Sequence, residues 1–82
     1  MDKLYKVFGG YLVDDFTTDS YGEALENFAK RVIGTKPETD ARIGIVSAWH
    51  DDEGVIQTEV NHFVILPSKE TLIALKRVEF TN

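Results

Sequence analysis

The sequence predicts an α+β domain, an antiparallel sheet of three to four strands with one main helix packed on one face. The expected order is β-α-β-β, followed by a short helix or a strand. Three features carry this prediction: an alternating apolar segment near the start, a capped amphipathic segment after it, and two apolar runs joined by an acidic turn. No linker, repeat or low-complexity tract divides the 82 residues, so residues 1–82 are expected to form a single domain.

The first strand is expected at residues 4–16. One alternating set of its side chains is apolar, namely Tyr5, Val7, Tyr11 and Val13. The alternation continues through Gly9-Gly10, which favours one long strand that the two glycines bend or bulge. A tight hairpin turn at the same glycines is the alternative.

The main helix is expected from Tyr21 to Ile33. Ser20 followed by Glu23 fits a capping box, in which a hydroxyl and a carboxylate satisfy backbone N–H groups at the start of a helix. One helical face is apolar, consisting of Tyr21, Leu25, Phe28 and Val32 with Ala24 and Ala29 beside them. Gly34 is well placed to end the helix, and residues 35–40 read as an exposed loop.

A hairpin is predicted around Asp51–Gly54, as a four-residue loop between the apolar-rich runs 42–49 and 55–66. In that register His50 lies opposite Val55, and one face of the hairpin is mostly apolar while the other is mostly polar. The apolar face holds Ile43, Ile45, Trp49, Ile56, Val60, Val64 and Leu66, with Ser47, Thr58 and His62 among them. The other face holds Arg42, His50, Gln57, Glu59 and Asn61.

The segment after Pro67 has two interpretations. Ser68 can cap a short helix that runs through Lys76 and is followed by a terminal strand at Arg77–Phe80. Alternatively, residues 67–70 form a turn and residues 71–80 a strand, because β-branched and aromatic residues return there. The first interpretation is favoured.

The composition limits the classes of function. The chain has no cysteine, so disulfides and thiolate-bound zinc are excluded. The opening residues do not have the pattern of a signal peptide, and no apolar stretch approaches the ~20 residues of a membrane span. A soluble cytoplasmic protein without membrane contact is expected.

The net charge of −5 is concentrated in two acidic segments, residues 14–26 and 50–59, neither of which contains a basic residue. Binding to a phosphate backbone needs clustered lysine and arginine, so direct binding of nucleic acid is not expected. The charge suits attraction to a protein with a basic surface.

The cluster His50, Asp51, Asp52 and Glu53, with His62, has ligand types that suit zinc or manganese. Consecutive residues of a tight turn point in different directions, however, and the two histidines fall on opposite faces of the predicted hairpin. The cluster is therefore interpreted as an exposed turn, and no metal is expected. His62, among apolar residues, is interpreted as a half-buried structural residue.

No enzyme motif is present. There is no nucleophile motif, no phosphate-binding glycine pattern and no converging acid–base pair, so neither catalytic residues nor a cofactor are expected. The aromatic residues Tyr5, Phe8, Tyr11, Trp49 and Phe63 are interpreted as core, because a base-stacking platform also needs a positive groove.

Apolar residues on the second face of the hairpin point to an interaction surface. Val46, Val55, Phe63 and Ile65 oppose the main apolar face, and one helix cannot cover both faces of a sheet. The expected function is a small acidic interaction module, an inhibitor or accessory factor that masks a basic surface of a nucleic-acid-handling protein, of viral or mobile-element type. The alternatives are a homodimer that binds a small molecule and, disfavoured, a small enzyme. The expected partner-binding residues are Asp14, Asp15, Asp19, Glu23, Asp51, Asp52, Glu53, Phe63 and Ile65.

Overall fold

The computed structural model describes residues 2–80, with side chains described for residues 2–77. The elements follow in the order β-β-α-β-β-α: β1 Leu4–Gly9, β2 Phe16–Thr18, α1 Tyr21–Gly34, β3 Ala41–His50, β4 Ile56–Leu66 and α2 Lys69–Phe80. All strand pairs are antiparallel, and the strands lie in the order β2-β1-β3-β4. The predicted α+β class, with one main helix on a four-stranded sheet, is confirmed.

The prediction of one bent strand over residues 4–16 is wrong, because β1 and β2 form a hairpin in which Val7 lies opposite Phe16. Gly9 and Gly10 have φ angles of 90° and 74°, which lie in the left-handed region, and β1 ends at Gly9. A Cβ atom on Gly9 would lie 1.8 Å from the carbonyl oxygen of Arg42. The alternation at Tyr11 and Val13 thus lies in the loop that connects the two strands.

Arg31 of α1 fixes this loop. Its side chain is 1% exposed, and its guanidinium donates hydrogen bonds to the backbone carbonyls of Gly9, Leu12 and Asp14 at 2.9, 3.2 and 2.6 Å. Its Nε donates to Oδ1 of Asn27 at 2.7 Å. The guanidinium supplies hydrogen-bond donors to these partly buried carbonyls.

The helix α1 begins as the sequence predicts. Oγ of Ser20 accepts a hydrogen bond from the backbone N–H of Glu23 at 3.2 Å. In a full capping box the Glu23 carboxylate would accept from the N–H of Ser20. Here that N–H donates to Oγ1 of Thr18 at 3.1 Å, and Oε2 of Glu23 accepts from the hydroxyl of Thr18 at 2.8 Å. The first turn of α1 is therefore joined to the end of β2.

The core lies between α1 and the first three strands. Val7, Ala24 and Ile45 are fully buried and form its centre, and Tyr5, Phe16 and Phe28 pack against them. The helix covers β2, β1 and β3 and leaves β4 at the edge of the sheet with most of its residues exposed.

The loop between β3 and β4 has five residues, 51–55, rather than the predicted four. Within it, a hydrogen bond between Asp51 and Val55 closes a three-residue inner turn, residues 52–54. The N–H of Asp51 donates to the carbonyl of Val55 at 2.9 Å, and Gly54 has a φ of 80°. His50 consequently lies opposite Ile56 and not opposite Val55. A glycine in the left-handed region at this position is typical of three-residue hairpin loops.

A bulge in β4 changes the register a second time. Ile45 lies opposite His62, but the next residue, Val46, lies opposite Val60, so Asn61 is an extra residue. The predicted faces hold for the second half of β4 and are inverted for residues 56–60. Paired residues share a face, so Ile56, Thr58 and Val60 lie on the face opposite the core. The sequence had placed them on the core face, and that expectation is wrong.

Residues 69–80 form one helix, so the expected terminal strand at Arg77–Phe80 is wrong. Oδ1 of Asp40 accepts from the N–H of Ser68 and from the hydroxyl of Thr71, both at 2.9 Å. Beyond this anchor, α2 has no substantial packing against α1 or any strand within the described residues. The radius of gyration is 16.2 Å, whereas a compact domain of this length has about 12 Å.

Candidate interaction surface

The face of the sheet opposite α1, here called the open face, is largely apolar, and neither helix packs substantially on it within the described residues. The strand pairings place on it Leu4, Lys6 and Phe8 of β1, Thr17 of β2, Arg42, Val46, Ala48 and His50 of β3, and Ile56, Thr58, Val60, Phe63 and Ile65 of β4. Ile56 and Val60 are each 63% exposed, and Leu4, Phe63 and Ile65 are about half exposed. An antiparallel sheet that faces water normally carries polar residues on that face, so this face is unusual.

Two adjoining concavities run along the open face. One, of about 470 Å³, is lined by Leu4, Lys6, Thr17, Val46, Ser47, Ala48 and Thr58. The other, of about 310 Å³, is lined by Asp2, Leu4, Ala48, Trp49, His50 and Ile56. They share Leu4 and Ala48, so the small side chain of Ala48 leaves a groove beside β1.

Gly44 shapes the other end of the face. A Cβ atom at this position would lie 2.6 Å from Cζ of Phe8. Because Gly44 has no side chain, the Phe8 ring can lie over β3 at this position. Phe63 occupies the position directly opposite Gly44 on β4, so two aromatic side chains flank the glycine.

The predicted partner-binding residues divide into two groups. Phe63 and Ile65 lie on the open face, where they were expected. The acidic residues lie in the loop before β2, at the start of α1 and in the β3–β4 turn, so they are distributed around the sheet and do not converge. Asp14, Asp19, Asp52 and Glu53 are exposed.

Three of the acidic residues already have partners within the protein. Oδ2 of Asp15 lies 3.2 Å from Nζ of Lys6, and Glu23 accepts from Thr18 as described above. Asp51 closes the turn: its Oδ1 accepts from the N–H groups of Glu53 and Val55, each at 2.9 Å, and its Oδ2 accepts from the Gln57 side chain at 2.9 Å. These carboxylates are less available to a partner than Asp52 and Glu53.

The hydrogen bonds of the turn also shift a pKa. The amide of Gln57, followed by the backbone N–H of Val55, holds the pKa of Asp51 below its ordinary value of 3.8. Asp51 is thus an anionic part of the turn structure. The interpretation of residues 50–54 as a turn between two strands agrees with this geometry.

His50 and His62 lie on opposite faces, as predicted, since His50 pairs with Ile56 and His62 with Ile45. Among the described residues, no three histidine, aspartate or glutamate side chains are grouped in a way that could hold a metal ion. His62 is exposed rather than half-buried, and its Nε2 lies 2.7 Å from the hydroxyl of Tyr21. This contact joins the start of α1 to the edge strand.

The sequence did not single out Ile56 or Val60 as surface residues, because the bulge at Asn61 has no clear sequence signal. Leu4 of β1 was not singled out either. Val55, which was expected on the second face, lies in the turn and is 51% exposed. The apolar residues of α2 were also missed: Leu72, Ile73 and Leu75 are 42–56% exposed.

No protein-family model, curated protein or solved structure matches this chain. Within the described residues, neither helix has the length and apolar character needed to span a lipid bilayer.

Proposed function

We propose that the protein is a small interaction module that acts by binding another macromolecule. The open face supports this proposal most directly. Contiguous apolar surface on a protein that is not in a membrane usually marks a site of interaction. Five large apolar side chains of β1 and β4 are about half exposed or more on this one face: Leu4, Ile56, Val60, Phe63 and Ile65.

The charge favours a basic partner. Asp52 and Glu53 project from the turn at one end of the open face, and Asp14 is exposed in the loop before β2. Charged groups at the rim of an interface accelerate encounter and select the partner, while apolar residues at its centre contribute most of the affinity. A protein that handles nucleic acid has such a basic surface, so the proposed role is that of an inhibitor or accessory factor, of viral or mobile-element type, that masks it.

The test is affinity capture with the whole chain from cells of its source, followed by binding measurements with the purified partner. Phe63→Ser and Val60→Ser should each weaken binding about tenfold, which corresponds to about 1.4 kcal/mol. Ile33→Ser is the matched control, since Ile33 is 82% exposed on α1 and away from the open face. Equal binding by the open-face variants and the control would refute the proposal.

Two further measurements test the charge argument. Asp52→Asn combined with Glu53→Gln should slow association and reduce its dependence on salt. A mobility-shift assay with DNA and RNA should show no direct binding by the wild-type protein. Tight binding of nucleic acid by the protein alone would contradict the proposed class of partner.

The groove beside Ala48 favours a second candidate, a homodimer that binds a small molecule. Its volume of about 470 Å³ falls within the usual range of ligand pockets, about 300–1,000 Å³. Neutralising the acidic residues should leave binding of such a ligand largely intact, whereas Ala48→Leu, which fills the groove, should abolish it. The two variants together distinguish this candidate from the first.

A further inference from the structure

The sheet extends beyond the start of α1, and Trp49 lies in this extension. Tyr21, the first residue of α1, packs on Tyr5 with 5.3 Å between the two ring centroids. Tyr5 pairs with Ser47 of β3, and Trp49 lies two residues further along that strand. Side chains two residues apart in a strand share a face. The Trp49 ring is therefore on the helix side of the sheet but beyond the first residue of the helix.

A cation already lies on the Trp49 ring. Nζ of Lys3, which directly precedes β1, is 4.4 Å from the ring centroid and 3.6 Å from Oε2 of Glu59. An ammonium over a tryptophan face is attracted by the negative face of the ring. Glu59 pairs with Ser47, so its carboxylate is on the same side of the sheet as the ring. Trp49 and Glu59, here called the cation site, thus hold the ammonium of Lys3 between them.

Lys3 is a poor match for this cation site. The distance of 3.6 Å to Oε2 of Glu59 exceeds the length of a charge-assisted hydrogen bond, about 2.7–2.9 Å. An ammonium is a compact and strongly hydrated point charge. A guanidinium is planar and less strongly hydrated, stacks on aromatic faces, and pairs with a carboxylate through two parallel hydrogen bonds. An arginine side chain therefore suits the ring and the carboxylate of the cation site better than Lys3 does.

The surroundings of the cation site are acidic. Lys3 and Tyr5 line a concavity of about 360 Å³ together with Asp2 and Asp19, both of which are exposed. Displacement of Lys3 would leave three carboxylates near the position of its ammonium, those of Asp2, Asp19 and Glu59. A basic side chain from outside is attracted to this charge.

The cation site also adjoins the surface that is proposed to bind a partner. Trp49 lines the concavity of about 310 Å³ on the open face. The strand β3 ends one residue later, at the turn that carries the exposed Asp52 and Glu53. A basic partner that is attracted to this turn and packs on the open face therefore reaches Trp49 at the same end of the sheet.

We propose that Trp49 and Glu59 bind an arginine side chain of the partner, and that Lys3 occupies this position until the arginine displaces it. The guanidinium stacks on the Trp49 ring and donates two hydrogen bonds to the Glu59 carboxylate, and the displaced ammonium of Lys3 becomes hydrated. The inference rests on the proposed function, because the basic partner supplies the arginine. It adds a contact of defined chemistry to those of the apolar open face.

The first test uses a capped tetra-arginine peptide as the probe and the fluorescence of Trp49 as the readout. Trp49 is the single tryptophan of the chain, so the emission reports on this site. The peptide should change the emission in a saturable way, and a tetra-lysine peptide of equal charge should bind about fivefold more weakly. Binding that calorimetry detects but that leaves the emission unchanged would overturn the proposal, as would equal affinity for the two peptides.

Lys3→Met tests the displacement. This variant removes the internal competitor, so it should bind the tetra-arginine peptide about fivefold more tightly than the wild type does. Lys6→Met is the matched control, because it removes the same charge from the open face, where Lys6 lies 3.2 Å from Asp15. Equal gains in the two variants would show that only the net charge matters and would overturn the proposal.

Glu59→Gln tests the carboxylate. It should weaken binding of the tetra-arginine peptide about fivefold, because the paired hydrogen bonds to a charged acceptor are lost. It should also remove the preference for arginine over lysine. Glu38→Gln is the control, since Glu38 is exposed in the loop before β3, at the other end of the sheet. Equal weakening in the two variants would refute a specific role of Glu59.

These measurements separate the inference from the proposed function. A captured partner whose binding is lost in Phe63→Ser but unchanged in both Glu59→Gln and Lys3→Met would refute the arginine site and retain the interaction module. Specific binding of the tetra-arginine peptide at Trp49, tightened in Lys3→Met, in a protein that captures no macromolecule would retain the site and refute the masking of a basic partner.

Discussion

Val46 lies directly opposite Val60 on the open face of the sheet, although the preceding residue, Ile45, lies opposite His62. The extra residue between them, Asn61, places apolar side chains on the open face along the whole length of β4. His62 remains on the side of α1, where its ring is 5.7 Å from the ring of Phe28. The bulge therefore extends the apolar surface without breaking the contact between β4 and the helix.

Ser47→Ala is expected to stabilise the protein. Ser47 is 2% exposed, and its hydroxyl has no hydrogen-bond partner within the described part of the chain. A buried hydroxyl without a partner costs about 1–3 kcal/mol, so its removal should raise the free energy of unfolding by about 1 kcal/mol in urea denaturation. Ser20→Ala is the matched control and should lower it by about 1 kcal/mol, because it removes the cap of α1. A loss of stability in Ser47→Ala would mean that the hydroxyl has a partner.

Arg31→Met is expected to destabilise the protein strongly. It would leave the carbonyls of Gly9, Leu12 and Asp14 without the guanidinium, and hydrogen bonds to charged groups contribute about 1.5–3 kcal/mol each. We expect a loss of at least about 3 kcal/mol in chemical denaturation, with faster hydrogen exchange in the loop before β2. Arg31→Lys should recover only part of the loss, because an ammonium lacks the planar fork.

The neighbouring residue provides the control for Arg31. Lys30 is exposed on α1, and Lys30→Met should change the free energy of unfolding by less than about 0.5 kcal/mol. Similar effects at the two positions would show that the loss of a positive charge, and not the loss of the carbonyl contacts, is what matters.

The sequence predicted the elements whose signals are local. The helix α1 has a cap, a periodic face and a terminal glycine, and the turn after β3 has acidic residues and Gly54, so both could be placed. Register, in contrast, depends on pairing between strands: the loop length at Asp51 and the bulge at Asn61 each shift it by one residue. The left-handed backbone at Gly9 likewise depends on the approach of β3, which no local pattern encodes.

The attachment of α2 is expected to depend on pH through Asp40. The backbone N–H of Ser68, and then the hydroxyl of Thr71, hold the pKa of Asp40 below its ordinary value of 3.8. Because folding lowers this pKa, its contribution to stability is fully present above pH 3.8 and is lost as the pH falls through the folded-state value. Amide resonances of Ser68 and Thr71, followed by NMR, should shift in this range.

Asp40→Ala is the control for this titration. It should abolish the step at Ser68 and Thr71 and leave the separate step of Asp51 at the N–H of Glu53 unchanged. It should also reduce helicity by circular dichroism at neutral pH, since the N-terminus of α2 loses its acceptor. An unchanged step in Asp40→Ala would assign the titration to another carboxylate.

Deletion of Asn61 is expected to preserve the hairpin and increase association. The pairs on both sides of the bulge, Ile45 with His62 and Val46 with Val60, become consecutive when the extra residue is removed, so every side chain keeps its face. A bulge protects an edge strand by twisting it away from other strands, and a regular β4 would lose that protection. Circular dichroism should show the wild-type fold, while light scattering should show higher-order association that grows with concentration.

Deletion of Thr58 is the control and should unfold the hairpin, because a shift of one residue there reverses the faces of β4. If deletion of Asn61 also unfolds the protein, the curvature that the bulge gives β4 is required for the fold itself.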